Sequence, residues 1–215
     1  ALAVSAAAVA GGRAQAVPAQ PSATAQAGPG LALHGRFTIG EHGQRRLELW
    51  GTPKQRGFAH GYLLAREILQ TFDRDFAVVM GKRVKQYAIL SMTVLPRFQF
   101  SEAENDMLRG MLAGIKQRLP GKAERRVAIL NRSVNLTDLK ALNTFGDWVA
   151  LGCSTIAMWG GRSDDGHPVI ARNFDFRSFR ALLEHAHVAI SAPYRDPDGE
   201  TMRGHVTIGH PGCIG

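Results

Sequence analysis

The residues best suited to chemistry are a cysteine behind a glycine, and an arginine and an aspartate downstream of it. Cys153 follows Gly152 at the head of an apolar, strand-like run, CSTIAMW (153–159). Arg172-Asn173-Phe174-Asp175-Phe176 lies in a second such run, PVIARNFDF (168–176). Between the two, GGRSDDGH supplies Asp165-Gly166, a strong hairpin turn signal. An antiparallel hairpin brings the far ends of its strands together, so Arg172 and Asp175 are expected near Cys153 at a register the sequence leaves open. A cation beside a thiol lowers its pKa and favours the nucleophilic thiolate. The same residues also fit a blander pattern, a buried cysteine acting as a small hydrophobe and a surface ion pair worth little.

Other reactive types lack partners at useful spacing. His185-Ala186-His187 would set two imidazoles on one strand face, but no carboxylate or thiol completes a ligand set, so neither a metal nor a cofactor is expected. His60 sits in a helical segment, where packing or a turn contact is its expected role. Cys213 is expected to be a free, partly buried thiol. Asn131-Arg132-Ser133 and Asn135-Leu136-Thr137 are glycosylation sequons only in form, with meaning only in a eukaryotic secretory route.

The elements that must position these groups divide the chain. Residues 36–50 alternate as a strand, and Gly51-Thr52-Pro53 ends it. Phe58, Tyr62, Leu63, Ile68, Phe72 and Phe76 then trace one apolar helix face, with Gly57 and Gly61 as tolerated interruptions. Ser101-Glu102-Ala103-Glu104 has the S-x-x-E form of a capping box. The helix it opens, through Met107, Met111, Leu112 and Ile115, closes at Pro120-Gly121. A further helix is predicted over 136–148, and strands over 187–194 and 202–209. Helices followed by consecutive antiparallel hairpins indicate an α+β fold.

Composition bounds the function. The chain has 215 residues, 45% hydrophobic and 20% charged, with 26 basic against 18 acidic side chains for a net charge of +8. That suits a packed core and excludes wholesale disorder. The basic residues are scattered and aromatics are 7%, so a nucleic-acid groove is not expected. The body of the chain holds no apolar run long enough to span a membrane. Residues 1–33 are rich in small residues, and Ala14-Gln15-Ala16 has the A-x-A form of a signal cleavage site, which favours export over a plain flexible leader.

Gly152-Cys153-Ser154-Thr155 followed by Asp165-Gly166-His167-Pro168-Val169-Ile170-Ala171-Arg172-Asn173-Phe174-Asp175-Phe176 resembles the nucleophile region of the autoproteolytic cysteine N-terminal-nucleophile hydrolases. The likeness is to the isopenicillin N acyltransferase-like family, with acid ceramidases and choloylglycine hydrolases as relatives. Gly51-Thr52-Pro53-Lys54-Gln55-Arg56-Gly57-Phe58-Ala59-His60-Gly61 is similar to that family's G-T-P-x-x-x-G-x-x-H-G segment. Pro211-Gly212-Cys213-Ile214-Gly215 resembles the entry to a block that continues toward Gly-Met-Asn.

The resemblance implies an αββα fold and a precursor cut between Gly152 and Cys153 into α and β chains. Residues 34–152 would belong to the helical α region and 153–215 to the start of the catalytic sheet. Asp175 would hold the new amino group and Arg172 would steady the thiolate or the substrate carbonyl. Asn173, Thr155 and His60 would support substrate or structure. The oxyanion-hole asparagine is expected beyond residue 215, making this the front portion of a larger enzyme. The implied substrate is a small molecule with a linear amide or acyl group, and no cofactor is needed. Two alternatives are a phospholipase B-like hydrolase of the same superfamily and a non-catalytic exported binding module.

Overall fold

The computed structural model describes residues 32–76, 80–148, 152–162, 164, 166, 169–175, 184–195 and 201–214. The leader, Asp165, His167, Pro168, Phe176 and the turn at 196–200 lie outside the described residues.

The stretch 36–50 is two strands, not one: β1 (Gly35–Ile39) and β2 (Arg45–Leu49) pair antiparallel. The break falls at Gly43, whose φ of +79° suits a residue without a side chain. Phe37 pairs with Leu47, and both are buried, so alternation decides which face turns inward. Gly51, at φ +83°, then turns the chain into α1 (Pro53–Leu63). Thr52 Oγ1 accepts from the Gln55 N–H at 3.2 Å, and the Gln55 side chain accepts from the Thr52 N–H at 2.9 Å. The Gly-Thr-Pro-x-Gln run is thus a helix start: positive-φ turn, cap, proline in the first turn and reciprocal capping glutamine.

The apolar face expected to continue to Phe76 does so through three pieces. After α1 the chain breaks at Leu64, resumes as α2 (Ala65–Gln70) and widens into a π-turn over Thr71–Phe76. Ile68, Phe72 and Phe76 are buried throughout. A 3-10 turn over Gly81–Gln86 leads into α3 (Tyr87–Val94), and α4 (Glu102–Arg118) opens on the Ser101–Glu104 capping box. Leu108, Met111 and Ile115 form the buried stripe of α4; Met107 and Leu112 are only half-buried.

Helices α1 and α4 lie backbone against backbone. A methyl group added at Gly57 or Gly61 would sit 1.9 or 2.0 Å from the Met107 or Met111 carbonyl oxygen. From the other helix, one at Gly110 or Gly114 would sit 2.1 Å from the carbonyl of Lys54 or Phe58. Each helix carries G-x-x-x-G, and the two stripes interlock. The glycines first read as tolerated interruptions are what lets the helices meet.

After the two-residue strands β3 (Arg126–Val127) and β4 (Arg132–Ser133), α5 (Leu136–Trp148) forms as expected. Its start is held by Asn135, whose Oδ1 accepts from the Asp138 N–H at 3.1 Å, while Asp138 Oδ2 accepts from the Asn135 N–H at 2.8 Å. The strand pair β5 (Gly152–Met158) and β6 (Val169–Asp175) is the expected antiparallel hairpin. The run 187–194 divides into β7 (His187–Ser191) and β8 (Tyr194–Arg195), and 202–209 into β9 (Thr201–Met202) and β10 (His205–Gly209).

The four-stranded sheet has the order β1-β2-β7-β10. Its outer pairs are antiparallel, but β2 and β7 run parallel, with Leu47 opposite Ala189. The later strands pair antiparallel as expected, β5 with β6 and β7 with β10, and the parallel β2–β7 pairing is an addition from the first part of the chain. Parallel neighbours need a long crossover, and residues 50–186 supply it. Helices with mainly antiparallel strands make the chain mixed in the α+β sense.

Among the described residues, 145–178 form one compact unit, which holds β5 and β6. Residues 32–144 together with 184–214 form the other. No helix among the described residues is long and apolar enough to cross a membrane.

Candidate functional site

In the smaller unit the hairpin fixes the register that the sequence left open. Gly152 pairs with Asp175, Cys153 with Phe174, Ser154 with Asn173, and Thr155 with Arg172. Asp175 therefore stands across the ladder from the residue preceding Cys153. Arg172 stands across from Thr155, two strand steps or about 7 Å along. The Gly152–Cys153 bond is the first peptide of β5, at the end of the ladder. All six residues expected around the nucleophile are thus gathered in the first four rungs of one two-stranded ladder. His60, the seventh, belongs to the other unit.

In the larger unit, His60 joins two segments that stand far apart in sequence. It is 1% exposed, and its Nε2 accepts from the Gly212 N–H at 3.2 Å. Asn143 completes the grip: its Nδ2 donates to the Gly212 carbonyl at 2.8 Å, and its Oδ1 accepts from the Ile214 N–H at 2.9 Å. Gly212 itself has φ +93°, a conformation that favours glycine. The Gly-Thr-Pro helix start and the Pro-Gly-Cys-Ile run, singled out separately in the sequence, are bound to each other in the fold.

Accepting from Gly212 requires Nε2 without a proton. Burial, then the neighbouring His187, pulls the His60 pKa down to about 3. The two rings meet edge to face, 5.8 Å between centroids. His187 is itself lowered, chiefly by burial. His185 precedes β7 in a short helical turn, so the two histidines expected on one strand face do not share a strand. Among the described residues no group of three or more His, Cys, Asp or Glu side chains is arranged to hold a metal. Cys213 is a free, half-buried thiol, with burial pushing its pKa up to about 11.

Sequence reasoning missed Arg56. It is 1% exposed, one turn before His60 on α1. Its Nε donates to the Gly51 carbonyl at 2.8 Å and its Nη2 to the Ala192 carbonyl at 2.6 Å, tying the start of α1 to the chain leaving β7. The signal was spacing: residues four apart stack on one helix face, so Arg56 shares the face of a buried histidine. Beside it opens a cleft of about 430 Å³, lined by Arg56, Phe100, Met107, Asn143, Met202 and Ile214 among others.

A second missed cluster surrounds Asp138, which is fully buried. It accepts from Tyr87 Oη at 2.9 Å and from both terminal nitrogens of Arg132 at 2.6 and 2.8 Å. Burial, with the Asp138 carboxylate beside it, drives the Tyr87 phenol far above its ordinary range. All Asp138 oxygens are engaged in joining α3, β4 and α5, which is a structural arrangement and not a reactive one.

No protein-family model matches the chain, and no curated protein matches it.

Proposed function

We propose that the chain is a self-cleaving cysteine N-terminal-nucleophile hydrolase or acyltransferase of the αββα type, acting on linear amides through a thioester on Cys153. The observation that carries the reading is the β5–β6 register, with Asp175 opposite Gly152 and Arg172 two steps along from Cys153. It supports a site that assembles from one hairpin without help from a distant histidine.

The chemistry follows from the residue types. The Cys153 thiol attacks the Gly152 carbonyl carbon, the C–N bond breaks as the C–S bond forms, and nitrogen takes the proton. Water then hydrolyses the thioester, leaving a carboxylate on Gly152 and a free amine on Cys153. A glycine before the cysteine lets the attacking sulfur approach without a side chain in its path. A model α-amino group has a pKa of roughly 7.7–8.0, so part of it is unprotonated near neutrality and serves as base for the adjacent thiol. In turnover the thiolate attacks the substrate carbonyl, the protonated amine passes its proton to the departing nitrogen, and water or a second amine takes the acyl group. Asp175 would hold the ammonium form, and Arg172 would stabilise negative charge on sulfur or on the carbonyl oxygen.

Intact-mass measurement and N-terminal sequencing of purified protein test this reading. Two fragments with a new amino terminus at Cys153 are expected, and Cys153→Ala should remain a single chain without amidase activity. Activity surviving in that variant would sink the proposal. Acyl release from N-acyl amides but not from phospholipid separates it from a phospholipase B-like reading.

A further inference from the structure

We propose that the cleft beside Arg56 is a binding site for a small carboxylate with an apolar tail. Its volume, about 430 Å³, falls within the range of small-molecule sites. Pro53, Phe100, Met107, Met202 and Ile214 give it apolar walls, and Arg56 supplies a buried cation.

The guanidinium is incompletely satisfied. Its Nε and Nη2 each reach a backbone carbonyl, but its buried Nη1 has no hydrogen-bond partner. No described carboxylate forms an ion pair with it; beyond the two carbonyls, the Tyr194 ring lies 5.9 Å from Cζ. The acidic residue lining the cleft, Glu104, has its Oε2 committed to the Ser101 N–H and hydroxyl, each at 2.7 Å. Asn143 is likewise spent on Gly212 and Ile214. A charge buried without a counter-ion is costly, and two neutral carbonyls compensate it only partly. An entering carboxylate supplies the missing charge beside the guanidinium, with the Ser191 hydroxyl on the same wall as a donor to it. A bare inorganic anion would leave the apolar walls unused.

This site does not depend on a nucleophile at Cys153, and neither probe below is an amide. Calorimetric titration of the full chain compares hexanoate with 2-heptanone, a neutral molecule of the same shape. Hexanoate is expected to bind at least about tenfold more tightly. Arg56→Gln should erase that preference, and Ala103→Phe, which fills the cleft from the first turn of α4, should weaken both ligands. Equal affinity for the two probes overturns the proposal, as does a preference that survives Arg56→Gln. Inorganic phosphate binding as tightly as hexanoate would mean an adventitious ion only. If Arg56→Gln fails to fold, the Ala103→Phe comparison decides: a hexanoate affinity unaffected by that change refutes the site.

Discussion

His60 holds the Gly212 turn only while neutral, and this ties stability to pH. Its folded pKa of about 3 lies below the 6.5 of a free imidazole. Below pH 6.5 the unfolded chain takes up a proton that the folded chain refuses until about pH 3. The stabilisation is therefore complete above pH 6.5 and is lost as pH falls, by at most about 1.4 kcal/mol per pH unit for this group. Thermal unfolding followed by circular dichroism should show Tm dropping between pH 7 and pH 5. His60→Gln keeps an acceptor but cannot charge, so its slope should be shallower, with His185 and His187, both lowered chiefly by burial, contributing to what remains; an unchanged slope would refute this. Asp138 gives a second test at the same scale. Urea unfolding should show Asp138→Ala losing roughly 3 kcal/mol, because the Tyr87 hydroxyl and the start of α5 both lose their acceptor. Tyr87→Phe, which leaves the Arg132 pair intact, should lose about 1 kcal/mol.

The α1–α4 pair turns four glycines into a packing requirement. Gly61→Ala would drive a methyl group into the Met111 backbone, which cannot step aside as a flexible side chain can. A loss of about 2 kcal/mol or more is expected from denaturant unfolding. Gly209→Ala, where nothing lies within 4 Å, should change stability by no more than about 0.5 kcal/mol. Local elements were readable in the sequence because local chemistry makes them: the Ser101–Glu104 box, α5 and the β5–β6 hairpin all follow from neighbouring residues. The glycine stripes were not, because a helical glycine in a single sequence looks like weakness until its partner is known. Arg56 was hidden for a similar reason, since an arginine reads as surface until the carbonyls of Gly51 and Ala192 are seen around it. The parallel pairing of β2 with β7 was equally hidden, because no local signal says where a distant strand returns.

At the scale of the molecule, that pairing crosses the proposed cut. Strand β2 and the residues Arg56, His60 and Asn143 precede Gly152, whereas β7, β10, Ala192 and Gly212 follow it. The two fragments should therefore stay together, giving one peak in native size exclusion and two bands in a denaturing gel. Separation of the fragments in native buffer would contradict this.

The same topology governs the path to the fold. The inner strands of the four-stranded sheet are separated by residues 50–186, so their meeting is a late, long-range event and the intact chain is expected to fold slowly. While Gly152 and Cys153 remain bonded, that search is a first-order process, and its rate does not change with dilution. Once the bond is cut, the strands can find each other again only by collision, and recovery from denaturant becomes concentration-dependent. Cleavage would thus leave the native sheet standing while removing the tether that lets it re-form, exchanging a reversible equilibrium for persistence set by the unfolding barrier.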